Sequence, residues 1–175
     1  MKKFRFGVFE TNSSSTHSVT IRGEGTLVPE SERLSIFPLD DMKNIIINLD
    51  DCEFGWELEF YRDPWNKLKY LIMMVVETEC NECKNIDDIY ETEGFKLIQN
   101  EIPNKIVIVD NIWELVKFKD NYGHTRSYLS HNGYIDHQSY EGYPDLKSFL
   151  DYYHLNVKTF VFNDKVELIT DNDNH

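Results

Sequence analysis

The chain has 175 residues, a net charge of -13 and hydrophobic residues at 41%, which predicts one folded domain over residues 1–170 and a polar tail at 171–175. The excess of acids disfavours direct binding of nucleic acid, because phosphate contacts depend on Lys and Arg. The longest apolar run, residues 70–76, is too short to span a bilayer. No apolar signal region follows the first residues, so we expect a cytoplasmic protein that does not contact a membrane.

The first polar segment spans residues 10–18, between predicted strands at residues 4–9 and 18–21. Each side chain in it can donate or accept a hydrogen bond. Short hydroxyl side chains also let backbone N–H groups approach a phosphate or a carboxylate. The segment predicts a ligand cradle, in which His17 and Glu10 are candidate acid–base groups. Its candidate ligand-binding residues are Asn12, Ser13, Ser14, Ser15, Thr16 and Ser18. A Ser-rich turn that merely joins two strands is the alternative interpretation.

The second polar segment follows a predicted strand at residues 45–49 and a weaker one at residues 34–37. In residues 52–57, Gly55 can take a positive φ between two large aromatic side chains. Trp56 and Glu57 are therefore candidate ligand-binding residues. An aromatic turn whose acids are solvated is the alternative here.

The principal helix is predicted to begin at Asp63 and Pro64, as N-cap and first helical residue. Apolar side chains then recur at helical spacing and predict a buried face that ends near residue 79. These are Trp65, Leu68, Leu71, Ile72, Val75 and Val76. Asn85 is expected to cap a second helix that continues to about residue 102, with Gly94 as a weak point in it.

Three cysteines are an odd number and do not suggest a disulfide framework. Cys80 and Cys83 have C-x-x-C spacing, but a zinc site would need two further ligands. We expect these two residues to be structural or incidental thiols.

The remaining elements are a strand at residues 105–110 buried on both faces, an ambiguous run at 112–118, and a helix from Pro144 to about residue 153. Two strands at residues 157–162 and 165–170 are predicted to form a C-terminal β-hairpin. The expected fold class is α+β, with a mixed β-sheet packed by two or three helices.

The third polar segment, residues 123–142, contains three of the six histidines. If residues 133–139 are extended, Tyr134, Asp136 and Gln138 face one side while His137 and Ser139 face the other. Asp136 is then placed to orient a histidine from elsewhere in the chain, such as His17 or His131. Asp136 and His137 are candidate catalytic residues. Candidate ligand-binding residues in this segment are Tyr134, Gln138 and Ser139.

Residues 9–18 resemble the N-terminal F-E-T-N-S-S-S-T-H-S signature of a group of uncharacterised proteins from phages and mobile elements of Gram-positive bacteria. Proteins of this group also carry stretches similar to residues 53–57 and 134–139. The resemblance implies a phage-type origin and no particular chemistry. It also implies that the three polar segments meet in one place.

Two functional hypotheses follow from these observations. The first is a polar pocket that binds a small anionic ligand, such as a nucleotide or another phosphate compound, with phosphoester hydrolysis as the reaction class if the ligand is turned over. A divalent metal held by the His, Asp and Glu side chains fits this pocket, although no ligand spacing requires it. The second is an acidic interaction protein that binds and inhibits a host defence enzyme, as a nucleic-acid mimic. An ADP-ribosyltransferase-like site is a poorer third, because Glu-x-Glu pairs arise readily in so acidic a chain.

Overall fold

Short strands and helices are interspersed along the chain in the computed structural model, which describes residues 17–23, 25–55, 58–80, 83–109, 114–119, 125–130, 133–136 and 143–170. The strands are Ser18–Ile21 (β1), Ile45–Asn48 (β2), Glu53–Phe54 (β3), Glu59–Tyr61 (β4), Ile106–Val109 (β5), Glu114–Lys119 (β6), Thr125–Ser130 (β7), Tyr134–Ile135 (β8) and Val166–Thr170 (β9). The helices are Glu30–Arg33 (α1), Pro64–Glu79 (α2), Ile86–Tyr90 (α3), Glu93–Glu101 (α4), Leu146–Tyr152 (α5) and Val157–Phe162 (α6). The predicted α+β class is confirmed.

Strand pairing combines antiparallel and parallel neighbours. β9 lies between β1 and β4 and is antiparallel to both, whereas β2 pairs with β5 and β3 with β8 in parallel. β6 and β7 form an antiparallel pair. The ambiguous run at residues 112–118 is therefore strand from Glu114 onward, and the third polar segment contains the strands β7 and β8.

Helix α2 is the centre of the core. Asp63 caps it by accepting a hydrogen bond from Asn66 N at 2.8 Å, and Pro64 opens the first turn, as predicted. Leu68, Leu71 and the other buried residues of α2 lie in one continuous apolar cluster, with Trp65 packed partly buried against it. Helices α4, α5 and α6 and strand β8 all contact α2. The helical spacing of the apolar residues is thus confirmed.

The predicted C-terminal hairpin is wrong in its first strand. Residues Val157–Phe162 form helix α6, which Asn156 caps by accepting a hydrogen bond from Thr159 N at 2.7 Å. A short run with four apolar residues in six fits either a strand or a helix, and here the cap and the burial of Val157, Phe160 and Val161 select the helix. β9 then pairs with the distant strands β1 and β4.

Two other strand predictions also change. Leu34–Ile36 is a 3-10 helix that continues α1. In β5 the side chains of Ile106 and Ile108 are buried, but Val109 is 38% exposed, so this strand is not buried on both faces. Its backbone N–H groups at those two isoleucines donate to side chains of the neighbouring helices, Gln99 Oε1 and Tyr90 Oη, both at 2.9 Å. Side chains thus accept the backbone hydrogen bonds that a neighbouring strand would accept if β5 were a central strand.

The second predicted helix is two helices. Asn85 caps α3 with a capping box, and Thr92 caps α4. Gly94 is a packing site, because a Cβ there would lie 2.2 Å from Glu79 Oε1. The Glu79 carboxylate accepts the backbone N–H groups of Gly94 at 2.7 Å and of Leu146 at 3.2 Å. One side chain at the end of α2 thus holds the first turns of α4 and α5.

Cys80 and Cys83 are joined by a disulfide, so the prediction of two thiols is wrong. The backbone turns tightly after α2, with Cys83 N donating to Cys80 O at 3.0 Å, and this turn brings the two Cα atoms to 4.8 Å. That separation suits a disulfide. Cys52 is a buried free thiol.

Candidate functional site

The three polar segments each contribute one described residue to a single cluster, formed by His17, Gly55 and Asp136. Gly55 has a φ of 96°, a conformation that favours glycine. A Cβ built on it would lie 2.6 Å from His17 Nε2 and 3.0 Å from Asp136 Cβ. A side chain at position 55 would therefore occupy the space in which the imidazole and the aspartate meet.

The parallel pairing of β3 with β8 sets two of these residues side by side. Tyr134 N donates to Cys52 O and Asp136 N donates to Phe54 O, both at 2.9 Å. Glu53 lies opposite Tyr134 in this register. Asp136 and Gly55 therefore leave the same end of the pair together, although 81 positions separate them in the sequence.

His17 immediately precedes β1 and is anchored to α2. Its Nδ1 lies 3.0 Å from Tyr70 Oη, at hydrogen-bonding distance, and the two ring centroids are 5.7 Å apart. Tyr70 is buried and packs edge-on against Phe54 of β3, with centroids 5.2 Å apart. The phenol therefore links the histidine to both the central helix and the second segment.

Burial lowers the pKa of His17 to about 4, and the nearby negative charge of Asp136 only partly opposes this effect. The imidazole is consequently neutral at pH 7. Its Nε2 atom is buried and has no hydrogen-bond partner among the described residues. Leaving a buried polar atom unpaired costs about 1–3 kcal/mol, so such an atom in a folded protein requires an explanation.

The surroundings of the cluster are acidic. Burial raises the pKa of Tyr134 above its ordinary value, and the charges of Glu53, Asp136 and Glu59 raise it further. Ser18, a predicted ligand-binding residue, lies in β1 opposite Ile169 and is partly buried. The structure thus brings His17 and Asp136 together, with Ser18 next to the histidine in the chain and Tyr134 in β8.

The other predicted site residues lie outside the described part of the chain, as does the separation of the His17 and His137 rings. They are Glu10, Asn12, Ser13, Ser14, Ser15, Thr16, Trp56, Glu57, His137, Gln138 and Ser139. In sequence, Thr16 adjoins His17, Trp56 adjoins Gly55 and His137 adjoins Asp136. Their roles stay predictions.

Tyr70 contacts the cluster through His17, and sequence reasoning missed this role. It lies in the apolar run of α2, where its ring is expected to belong to the hydrophobic core. The available signal was its hydroxyl, because a tyrosine buried in a helix face usually finds a hydrogen-bond partner for that group.

Within the described ranges, no group of three or more His, Cys, Asp or Glu side chains is arranged to hold a metal ion. The described helices include none that is long and apolar enough to cross a membrane. No protein-family model, curated protein or solved structure matches the chain. The function of the cluster must therefore be inferred from its own geometry.

Proposed function

We propose that the protein binds a small phosphate-containing ligand, such as a nucleotide, where the three polar segments meet. The observation that carries this proposal is the buried Nε2 of His17, which lies beside Gly55 and Asp136 and has no hydrogen-bond partner among the described residues. A residue needed only for packing would have gained stability by pairing that nitrogen or by being apolar. An imidazole nitrogen without a partner in the described part of the chain supports a role in binding a ligand.

The state of the imidazole defines what it offers a ligand. Because the pKa of His17 is about 4, the ring is uncharged at pH 7 and binds by hydrogen bonding and not as a cation. A bound phosphate oxygen would stabilise the protonated ring and raise that pKa again. His17 is therefore suited to proton transfer that is coupled to ligand binding.

The donors for an anion must come mainly from uncharged groups, since Asp136 and Glu53 make the cluster acidic. The run of hydroxyl residues that leads directly into His17 supplies such groups in the sequence, and its backbone N–H groups add to them. A divalent cation that accompanies a nucleotide would offset the local negative charge. These considerations favour a metal-bound nucleotide over a free anion.

Phosphoester hydrolysis is the reaction class that these groups suit. His17 and His137 would act as acid–base residues, and Asp136 and Glu10 would orient them. The sequence features that predict a cytoplasmic protein agree with a ligand drawn from cellular nucleotides.

The test is a titration of the purified protein with inorganic phosphate, AMP and ATP, the last with and without Mg²⁺, followed by the ring resonances of His17 in NMR spectra. We expect a saturable shift of the His17 signals and a rise in its pKa with at least one phosphate compound. The variants His17→Gln and Asp136→Asn should each weaken binding roughly tenfold or more. Release of inorganic phosphate would then be measured with the ligand that binds.

Tyr61→Phe is the matched control, because Tyr61 also packs against Phe54 while its hydroxyl donates to Glu59. It should leave binding unchanged. If no phosphate compound shifts the His17 signals, the proposal is wrong, and the acidic interaction protein becomes the better hypothesis.

A further inference from the structure

Tyr70 is the one described side chain within hydrogen-bonding distance of the His17 ring, at 3.0 Å from Nδ1. The opposite nitrogen, Nε2, lies beside Asp136, because both border the space that a side chain on Gly55 would fill. The two ring nitrogens thus face different groups, a phenol and a carboxylate-bearing residue. In a neutral imidazole one nitrogen carries the proton and the other a lone pair.

The charge of Asp136 acts on the His17 ring and biases the position of its proton. Nε2 lies on the side of the ring where Asp136 Cβ borders the space beside Gly55, so an N–H on Nε2 is more favourable there than a lone pair. A phenol can either donate or accept and therefore matches either state of Nδ1. The favourable arrangement leaves Nδ1 as the acceptor, and Tyr70 must then donate.

We propose that Tyr70 is a positioning residue whose hydroxyl donates to His17 Nδ1 and fixes the tautomer that carries its proton on Nε2. This inference rests on the proposed function for its consequence, since His17 would then present an N–H donor to an oxygen of the ligand. In this state the ring donates a hydrogen bond from Nε2 and keeps its proton, because loss of a proton from a neutral imidazole would leave an imidazolate anion.

The burial of Tyr70 makes this role specific. Its ring packs against Phe54 at 5.2 Å and Phe149 at 6.0 Å between centroids, which fixes the direction of the hydroxyl. Phe54 immediately precedes Gly55, the residue beside the imidazole. The contact between Tyr70 and Phe54 therefore positions both the Tyr70 hydroxyl and Gly55 relative to the ring. A phenylalanine at position 70 would keep these ring contacts and remove only the hydroxyl.

The experiment measures the tautomer of His17 by ¹⁵N NMR in the ligand-free protein at pH 7, for the unsubstituted protein and for Tyr70→Phe. In the unsubstituted protein we expect Nδ1 to resonate as an unprotonated nitrogen and Nε2 as a protonated one. In Tyr70→Phe we expect a mixture of tautomers and a His17 pKa that moves up toward its ordinary value, because the bond that favours the neutral ring is lost. Ligand affinity should fall roughly fivefold to tenfold.

Tyr61 is a second tyrosine whose ring packs against Phe54. Tyr61→Phe removes its hydroxyl and should leave both the tautomer and the pKa of His17 unchanged. A protonated Nδ1 in the unsubstituted protein would overturn the inference, as would an unaltered tautomer in Tyr70→Phe. Because these signals are recorded without ligand, they separate the two proposals. A correct tautomer with no phosphate binding would contradict the proposed function and leave the role of Tyr70 intact.

Discussion

Lys67 and His17 are two polar side chains beside helix α2, the first buried and the second partly buried, and their hydrogen bonding differs. Lys67 is fully buried, and its Nζ donates to Asn163 O at 2.9 Å and to Val166 O at 3.1 Å. Burial lowers its pKa to about 8, so it is still mostly protonated at pH 7. His17 Nε2 has no such partner among the described residues.

This difference distinguishes a structural polar group from a candidate functional one. Lys67 joins α2 to the turn between α6 and β9, and its two acceptors explain why a lysine is tolerated in the core. Among the described residues, His17 bonds to Tyr70 through Nδ1, and its Nε2 has no partner. A buried polar atom without a described partner is therefore a better guide to a candidate site than burial alone.

The largest expected effect comes from the core that surrounds both groups. Leu71→Ala should lower the free energy of unfolding by about 2–5 kcal/mol, because Leu71 is fully buried in α2 and truncation leaves a cavity. Chemical denaturation measures this change. Leu58→Ala is the control, since Leu58 is 48% exposed, and it should change stability by less than about 0.5 kcal/mol. Equal effects would show that α2 is not the centre of the core.

The pH dependence of stability tests the neutral state of the His17 imidazole. Its pKa is about 4 in the folded protein against a model value of 6.5, so the unfolded state binds more protons between these two values. The contribution to stability is complete above pH 6.5 and falls as the pH decreases toward 4, by up to about 3 kcal/mol. His17→Gln should remove that part of the pH dependence, measured by urea unfolding at several pH values.

The control for that experiment is His154→Asn. His154 is exposed and has a φ of 53°, a conformation that Asn tolerates. This variant should retain the pH dependence of the unsubstituted protein. An unchanged profile in His17→Gln would contradict the buried, neutral state assigned to the imidazole.

A glycine pair tests the close contact at the site. Gly55 and Gly23 have φ values of 96° and 100°, so alanine strains the backbone similarly at both positions. A Cβ at Gly23 has nothing within 4 Å, whereas one at Gly55 meets the His17 ring. Gly55→Ala should cost about 1–3 kcal/mol more than Gly23→Ala and should shift the His17 ring resonances. Equal costs, with those resonances unmoved, would contradict the contact.

The smallest expected effect is at the disulfide. The Cys80–Cys83 bridge closes a loop with a sequence separation of 3, so its contribution through the unfolded state is at most about 2 kcal/mol. Replacement of both cysteines by Ser should lower stability by no more than this and leave the His17 signals unchanged, because neither cysteine contacts the cluster. Stoichiometric zinc bound to the unsubstituted protein would contradict the assignment of a disulfide.

The sequence by itself determined those features that depend on neighbours in the chain. The start of α2 at Asp63 and Pro64 and its buried face follow from capping chemistry and a period of 3.6 residues over a long run. The cap of α3 at Asn85 follows in the same way. The three polar segments were recognisable as candidate site regions, although their chemistry was not.

Tertiary structure decided everything that depends on contacts between distant residues. Residues Val157–Phe162 became a helix because packing and the Asn156 cap outweighed a short β-like pattern, and β9 then found partners more than 100 positions away. Only the folded chain places Tyr70, 53 positions from His17 in the sequence, beside its Nδ1. Only the folded chain brings Gly55 next to both the imidazole of His17 and Asp136. Local sequence determines propensities, but the environment of the His17 ring is set by Gly55, Tyr70 and Asp136, which come from three other parts of the chain.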